Sequence, residues 1–396
     1  MSELISLLLL LSAASLQPAT PASPPATLPP SSFLNRNQYE AYQVIQRFKL
    51  TITCDPFNVT SSWSGPRPCS YRGFFCESPP FLSGVPVVAS VDFNGFHLCA
   101  PTLSGFLDRL PTLAIFHANS NRFAGSVPDL SSLPFLYELD LSNNLLSGAF
   151  PAAVLPLTQL TFLDLRYNRF SGALPPAAFA ISDVNVLFLN NNLFAQNLPA
   201  DVGSTPAGFL TLANNAFTGP IPASISNASD SLVEVLFLNN RLSGCLPFEV
   251  GLLRRSTVEQ LNLAGNQLYG TVPDVVCRLA QVGKLANFSL SSNYFTGIGK
   301  SCRGLIKSGL LDVRRNCIVG LPGQRSPAEC AAFQARPKFC PPLTRIPCKL
   351  PARGLRDIEG SGDEDDGVTF PAEVERSPAA DFRAYSALKR PGGNGF

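Results

Sequence analysis

One sequence pattern, L-x-x-L-x-L-x-x-N-x-L-x-G-x-x-P, recurs over residues 88–316 and limits the fold more than any other feature. The clearest copy begins at Leu136 and has Asn144 in the asparagine position. Successive asparagines of this column lie between 23 and 27 residues apart, at Asn121, Asn144, Asn168, Asn192, Asn215, Asn240, Asn266, Asn293 and Asn316. A weaker first copy has Phe96 in the asparagine position, which gives ten copies. A period of this length is typical of a solenoid whose units stack along one axis.

Each column of the repeat has a role that follows from its residue type. The L-x-L alternation is that of a short strand, with apolar side chains on one face and open positions on the other. The asparagine amide can satisfy backbone groups of its own turn and of neighbouring copies, so stacked copies should form a ladder. Glycine permits backbone angles that other residues resist, and proline fixes the returning convex segment. One copy cannot fold alone, so the array depends on contacts between copies.

The repeat region is expected to need a cap at each end, because terminal copies would otherwise expose their core. Residues 33–53 predict an amphipathic helix with Tyr42, Ile45 and Phe48 on one stripe. We expect five segments: a signal peptide at 1–22, an N-terminal cap at 32–87, repeats at 88–320, a cysteine-rich C-terminal cap at 321–348 and a disordered tail at 349–396. The fold class is therefore an α/β repeat solenoid, a horseshoe or right-handed superhelix of about ten repeats with disulfide-capped ends.

Charge and motif content argue against nucleic-acid binding and against catalysis. The chain has 30 Lys plus Arg and 28 Asp plus Glu, a net of +2 without basic blocks. It has only two histidines, His97 and His117, and the sequence indicates no acid or nucleophile partner for either. No Gly-rich phosphate loop, serine elbow or His/Cys metal cluster is present, so we expect no enzyme, no cofactor and no metal. Paired carboxylates such as Glu138 and Asp140 should be solvent-exposed on the sheet, with no pocket to raise a pKa.

The N-terminus predicts secretion. Residues 5–16 form an apolar run too short for a membrane span, and cleavage is expected between Ala14 and Ala22. The leading segment carries Glu3 and no basic residue, so a buried apolar helix is the alternative. Three Asn-x-Ser/Thr acceptors agree with an extracellular chain, at Asn58, Asn227 and Asn287.

The eleven cysteines cluster at the two ends of the repeats, which favours extracellular disulfides over zinc. Cys69 and Cys76 are expected to pair across a short loop. Cys245 and Cys277 lie in adjacent copies, and two further bridges are expected among Cys302, Cys317, Cys330 and Cys340. Cys54, Cys99 and Cys348 then remain. We expect one of these three cysteines either to form an interchain bridge in a homodimer or to be a buried free thiol.

Several blocks of the sequence resemble the leucine-rich repeat extensin-like proteins, and the array itself resembles the plant-type leucine-rich repeat. The blocks are TCDPFNVT at 53–60, HANSNRF at 117–123, FLDLRYN at 162–168, and RRNC at 314–317 followed by QRSP at 324–327 and CAAF at 330–333. The resemblance implies a protein of the apoplast or cell wall that binds basic cysteine-rich peptides of the rapid alkalinization factor class. It also implies a role in wall integrity and growth, often as a dimer. Residues 349–396 lack the Ser-Pro repeats of the extensin tail, so covalent wall anchoring is not expected to carry over.

The open strand positions should line the concave face and form a binding surface for a protein or peptide. The candidate residues are Tyr137, Glu138, Asp140, Phe162, Asp164, Arg166, Tyr167, Phe188, Asn190, Glu234 and Glu259. Carboxylates would steer a basic peptide and aromatic rings would supply contact area. A glycan on Asn287 would crowd the C-terminal end, which places the ligand on the N-terminal and middle copies. The alternative is that these side chains are the ordinary solvent-facing residues of such repeat strands and contact no ligand.

Two other functions remain open at the level of sequence. A binder of wall polysaccharide or of cell-wall hydrolases, similar to the polygalacturonase-inhibiting proteins, would use a basic stripe to hold pectin. The column Arg122, Arg169 and Arg241 is a candidate for such a stripe. A purely structural wall protein is the third reading, and the missing extensin tail counts against it.

Overall fold

The computed structural model describes residues 28–79, 84–253, 258–282 and 285–340. The expected signal peptide, the expected tail and Cys348 lie outside the described residues. No helix in the described ranges is long and apolar enough to cross a lipid bilayer.

The inner face of the solenoid is an eleven-stranded sheet. Its strands, numbered along the chain, are β1 (Phe74–Glu77), β2 (Val87–Asp92), β4 (Ile115–His117), β6 (Glu138–Asp140), β8 (Phe162–Asp164), β10 (Val186–Phe188), β12 (Phe209–Thr211), β14 (Glu234–Leu236), β16 (Gln260–Asn262), β18 (Asn287–Ser289) and β20 (Leu311–Asp312). β1 pairs antiparallel with β2, and every later pairing is parallel. Each of the ten copies thus supplies one parallel strand, so the expected solenoid of about ten repeats is confirmed.

A second sheet of nine strands follows the asparagine column, and the repeat pattern did not predict it. Its strands are β3 (Cys99–Ala100), β5 (Arg122–Gly125), β7 (Leu145–Gly148), β9 (Arg169–Gly172), β11 (Leu193–Asn197), β13 (Ala216–Gly219), β15 (Arg241–Cys245), β17 (Gln267–Val272) and β19 (Tyr294–Ile298). Several strands end at the repeat glycine. Gly125 and Gly172 have φ angles of +79° and +82°, which side chains of other residues disfavour. The expected backbone role of the glycine column is therefore confirmed.

The returning segments are short helices on the convex side. Those after the proline column are 3₁₀ helices at Ala152–Val154, Pro176–Phe179, Val202–Ser204, Ala223–Ala228 and Phe248–Leu252, followed by α-helices α2 (Asp274–Cys277), α3 (Leu279–Val282) and α4 (Lys300–Lys307). Other 3₁₀ helices span Pro30–Ser32, Val59–Ser62, Pro68–Ser70 and Leu107–Arg109. A proline at the start of a helix costs no hydrogen bond there, because the first N–H groups have no partner within the helix.

The asparagine column forms the expected ladder. Asn168 accepts the N–H of Leu146 in the preceding copy at 3.0 Å. Its amide donates to the carbonyl of Leu141 at 2.8 Å and to that of Leu165 at 3.2 Å. The same pattern recurs along the column, so each asparagine joins its own copy to the one before. Buried backbone groups between copies are satisfied in this way.

The core between the two sheets contains a stack of phenylalanines. Phe170, Phe194 and Phe217 are fully buried, with ring centroids 6.3 and 6.2 Å apart. Each ring comes from a different copy, so apolar packing adds to the asparagine ladder at the same interfaces.

The N-terminal cap is built on a helix, α1 (Arg36–Lys49). Asn35 caps it by accepting the N–H of Gln38 at 2.9 Å. Tyr42, Ile45 and Phe48 are buried, as the stripe predicted, and the Phe48 ring lies 3.9 Å from that of Phe106 in the first copy. The helix ends at Lys49, earlier than the expected 53.

The C-terminal end is covered by a short helix, α5 (Pro327–Gln334), with Ser326 and Glu329 forming a capping box. The Phe333 ring of this helix stacks on Tyr294 at 3.6 Å. The Arg325 guanidinium lies 4.2 Å from the centre of the Tyr294 ring. These contacts dock the helix against the last copies.

The cysteine pairings are only partly those expected. Ten cysteines form five bridges: Cys54–Cys99, Cys69–Cys76, Cys245–Cys340, Cys277–Cys302 and Cys317–Cys330. The pairing of Cys69 with Cys76 is confirmed. Of the two bridges expected among Cys302, Cys317, Cys330 and Cys340, only Cys317–Cys330 forms, because Cys302 and Cys340 pair outside that set. A bridge between Cys245 and Cys277 is wrong, because Cys245 ends β15 while Cys277 lies in α2. Cys277 instead meets Cys302 in α4, which occupies the returning segment of the next copy.

The expectation that Cys54 and Cys99 stay outside intrachain bridges is also wrong. Backbone hydrogen bonds already join the cap to the first copy at this point, and they bring the two sulfurs together. The eleventh cysteine is therefore Cys348.

Candidate ligand-binding surface

The inner sheet presents two columns of open positions, separated by a column of buried side chains that includes Leu139, Leu163 and Leu187. Strand register aligns the first column as Ser90, Ile115, Glu138, Phe162, Val186, Phe209, Glu234, Gln260 and Asn287. The second column is Asp92, His117, Asp140, Asp164, Phe188, Thr211, Leu236, Asn262, Ser289 and Asp312. Neighbouring positions in a column are one strand spacing apart, about 4.8 Å.

The predicted binding residues all lie on this face or at its two edges. Glu138, Phe162 and Glu234 belong to the first column, and Asp140, Asp164 and Phe188 to the second. The remaining five lie where the strands begin or end: Tyr137 and Glu259 at the entry edge, and Arg166, Tyr167 and Asn190 at the exit edge. The structure thus brings the set together, while ligand contact by any of them stays a prediction.

Among the predicted binding residues, Asp164 is the exception to the expected openness. Its side chain is 0% exposed, although its strand position should point to solvent. The Arg166 side chain covers it: Arg166 Nε lies 2.9 Å from Asp164 Oδ2, and the guanidinium rests 5.1 Å from the centre of the Phe188 ring. The Arg166 backbone N–H donates to Asp164 Oδ1 at 3.0 Å. The Arg166 side chain therefore separates the aspartate from solvent on the inner face.

Burial changes the acidity of Asp164. Loss of solvent raises its pKa from 3.8 to about 7, and the charge of Asp140 in the neighbouring strand adds to the rise. The positive charge of Arg166, its backbone N–H and His117 act in the opposite direction and are weaker. The expectation that this sheet has no environment to raise a carboxyl pKa is therefore wrong at Asp164.

His117 has an acid partner that the sequence did not indicate. Its Nε2 lies 2.8 Å from Oε2 of Glu138 in the next strand, and its ring centre is 6.4 Å from that of Phe162. The two residues are 21 apart in the chain, and only the parallel register brings them side by side. The pair fixes the direction of Glu138 on the inner face.

Tyr167 lies in a backbone conformation that bulky residues rarely adopt. Its φ angle is +54°, and the equivalent positions of other copies carry Asn143, Asn191, Asn214 and Asn239. The side chain is 50% exposed. Ser120, Ser292 and Arg315 have the same left-handed φ, so the repeat itself imposes this conformation, and ligand contact by Tyr167 stays a prediction.

The middle of the surface is apolar, and acidic groups flank it. Phe162 and Phe188 meet edge to face at 6.3 Å, and Val186 and Phe209 continue the apolar strip. Sequence reasoning missed Phe209, although it occupies the same open position as Glu138, in a copy where Ala207 replaces the first leucine of the repeat. Burial raises the pKa of Glu234 on the far side of the strip.

The middle of the surface therefore combines aromatic rings with carboxylates and the Arg166 guanidinium. In the described part of the chain, no group of three or more His, Cys, Asp or Glu side chains is arranged to hold a metal ion. The arrangement suits a ligand with basic groups around an apolar centre.

The arginine column does not form a continuous basic stripe. Arg122, Arg169 and Arg241 begin β5, β9 and β15 of the second sheet, away from the inner face. Exposed leucines occupy the equivalent positions between them, including Leu145 and Leu193. The three arginines are therefore separate charges, and the basic stripe expected of a pectin holder is interrupted.

Comparison with known proteins agrees with this fold. The family model "Leucine Rich Repeat" matches residues 135–157 and 159–179. The chain is similar to leucine-rich repeat extensin-like protein 6 of Arabidopsis thaliana, with 38% identity over 340 residues that cover 82% of this chain and 72% of the relative. It is also similar to leucine-rich repeat extensin-like protein 1 of the same plant, with 43% identity over 111 residues. That match covers 28% of this chain and only 15% of the longer relative.

Solved structures with this architecture include plant receptor ectodomains. One is the Arabidopsis receptor kinase HAESA in complex with the peptide hormone IDA and the co-receptor SERK1. It superposes with a TM-score of 0.59 and 27% identity, over 70% of this chain and 46% of the HAESA chain.

Proposed function

This chain belongs to the leucine-rich repeat extensin-like family, and from that membership we propose that it is a secreted binding protein of the cell wall or apoplast. Its ligands are basic, cysteine-rich signalling peptides of the rapid alkalinization factor class. It acts by binding them, without catalysis, in the control of wall integrity and growth.

The observation that carries this proposal is the chemistry of the inner face. Glu138 and Asp140 lie beside the apolar strip that Phe162 and Phe188 begin, and Glu234 lies at its other end. A basic peptide would be steered by the carboxylates and anchored by the rings. The peptide hormone in the HAESA complex supports the choice of a peptide, because that ectodomain has the same repeat architecture.

The ligand is placed on the N-terminal and middle copies. Asn287 is exposed and lies in the first open column near the C-terminal end of the sheet. A glycan there would crowd the surface around β16 and β18. The strip from Phe162 to Phe209 lies outside this region.

The proposal is tested by titrating the secreted protein with a panel of basic cysteine-rich peptides in a calorimeter. The double variant Glu138→Gln, Asp140→Asn should bind roughly tenfold more weakly, because it removes two charges that face the ligand. The matched control is Asp201→Asn, which neutralises an exposed acid beside a convex 3₁₀ helix and should bind as the parent does.

Two outcomes would contradict the proposal. One is the absence of binding by any basic peptide at micromolar concentration, which would favour the wall-polysaccharide or hydrolase binder. The other is an equal loss of affinity in the double variant and in Asp201→Asn, which would indicate a diffuse charge effect. Thermal unfolding of each variant shows whether its fold is intact.

We extend the proposal to a homodimer joined through Cys348, since the five intrachain bridges use the other ten cysteines. Electrophoresis of secreted protein without reductant should give a dimer band that disappears with reductant and in Cys348→Ser. A monomer band under all three conditions would end the idea of a covalent dimer.

A further inference from the structure

A groove of about 550 Å³ opens at the N-terminal end of the solenoid, beside the Cys54–Cys99 bridge. It is lined by Cys54, Asp55, Pro56, Phe57, His97 and Arg122. These residues come from the cap, the first copy and the second copy. None of them belongs to the proposed peptide-binding surface.

The groove offers an exposed aromatic ring on a rigid turn. Phe57 is 51% exposed. The Asn58 N–H closes the turn by donating to the Asp55 carbonyl at 3.1 Å, and the two Asp55 carboxylate oxygens each accept a backbone N–H, from Val59 and Thr60, at 2.8 Å. A ring held in place before binding loses little freedom when a ligand packs on it.

The groove also offers cationic and N–H donor groups. Arg122 is exposed, and no carboxylate within the described ranges forms an ion pair with it. The His97 ring centre lies 5.6 Å from that of Phe57, and the His97 backbone has the left-handed φ of +54°. Asp55 also lines the groove, but its carboxylate oxygens already accept the Val59 and Thr60 N–H groups. A guanidinium and an aromatic ring that line the same groove match a ligand that combines a carboxylate with an apolar surface.

We propose that this groove binds hexuronate units of an acidic polysaccharide. The uronate carboxylate pairs with the Arg122 guanidinium and accepts an N–H from the His97 imidazole. The C–H groups of the sugar ring pack on the face of Phe57, where the aromatic quadrupole is negative.

Features of the groove favour a sugar acid over other anions. An added peptide strand would need free backbone groups, but Cys99 N–H already donates to the Cys54 carbonyl at 3.0 Å and the Cys99 carbonyl accepts Thr53 N–H at 2.9 Å. A phosphate ion has no apolar surface to place on Phe57. A hexuronate supplies both the charge and the ring.

The test is calorimetric titration of the whole secreted protein with a galacturonate hexamer, with its fully methyl-esterified form as the neutral match. Arg122→Gln and Phe57→Leu should each bind the acid hexamer roughly tenfold more weakly, because the first removes the guanidinium that pairs with the carboxylate and the second removes the aromatic face. The matched control is Arg169→Gln, which removes an arginine at the equivalent position two copies further on. It should bind as the parent does.

Three results would overturn the proposal. Equal weakening by Arg122→Gln and Arg169→Gln would mean that only overall charge matters. Equal binding of the ester and the acid would remove the role of the carboxylate. Equal binding of a poly-glutamate peptide would remove the role of the sugar ring. Thermal midpoints equal to that of the parent show that the variants are folded, and Glu138→Gln, Asp140→Asn should bind the hexamer normally because it alters only the peptide-binding surface.

Discussion

Replacing Asn192 by alanine is expected to lower the free energy of unfolding by about 3–5 kcal/mol. Asn192 is 6% exposed and accepts the N–H of Phe170 at 3.0 Å. It also donates to the carbonyls of Leu165 at 2.9 Å and Leu189 at 3.2 Å. Alanine would leave the buried Phe170 N–H without this partner, which costs about 1–3 kcal/mol, and would remove two amide hydrogen bonds at about 0.5–1.5 kcal/mol each. The two carbonyls keep one donor each, the Asn168 amide at Leu165 and the Asn215 amide at Leu189. Urea unfolding followed by circular dichroism, extrapolated to water, measures the loss.

The control for this prediction is Asn185→Ala, an exposed asparagine near the start of β10. Asn185→Ala should lower the free energy of unfolding by less than about 1 kcal/mol, because water can replace the hydrogen bonds of this exposed side chain. An equal loss in the two variants would mean that the asparagine column does not hold the copies together.

Asp164 should make the protein less stable as the pH rises from about 4 to about 8. The folded protein keeps the proton on this carboxyl until about pH 7, whereas its ordinary pKa is 3.8. Between these values the unfolded chain binds fewer protons than the folded chain, so stability is greatest below the lower pKa and falls towards the upper one. The contribution of this one group is about 4 kcal/mol, taking about 1.4 kcal/mol for each tenfold change in proton affinity.

Asp164→Asn removes this dependence, since the amide resembles the protonated carboxyl in shape and cannot ionise. The variant and the parent are unfolded by urea at both ends of the pH range. Raising the pH should lower the free energy of unfolding less in Asp164→Asn than in the parent, and the difference should be about 4 kcal/mol. In Asp201→Asn, the free energy of unfolding should fall with pH as steeply as in the parent. If it also falls that steeply in Asp164→Asn, the Asp164 carboxyl ionises at an ordinary pH.

The regular parts of this molecule could be predicted because their causes lie within one period of the sequence. The asparagine column implied the ladder since Asn168 and its equivalents each contact only their own copy and the one before. The stripe of Tyr42, Ile45 and Phe48 implied a helix for the same local reason.

Features that depend on the spatial neighbours of a residue could not be predicted in this way. Strand alternation gives the direction of Asp164 but does not reveal that Arg166 and Phe188 cover it. The partner of His117 comes from the next strand, and that of Cys245 lies 95 residues away. The second sheet was missed because the residues before the repeat glycine read equally well as a turn.

The Cys245–Cys340 bridge has a consequence for how the array comes apart. A stack of repeats without cross-links frays from its ends, since a terminal copy has only one neighbour to leave. Here the Cys245–Cys340 disulfide joins the seventh copy to the segment after α5, and the Cys54–Cys99 disulfide joins the first copy to its cap. Copies eight to ten therefore cannot unfold one at a time from the C-terminal end. Under heat or protease, local unfolding is expected to begin in copies two to six, which lie between the two bridges.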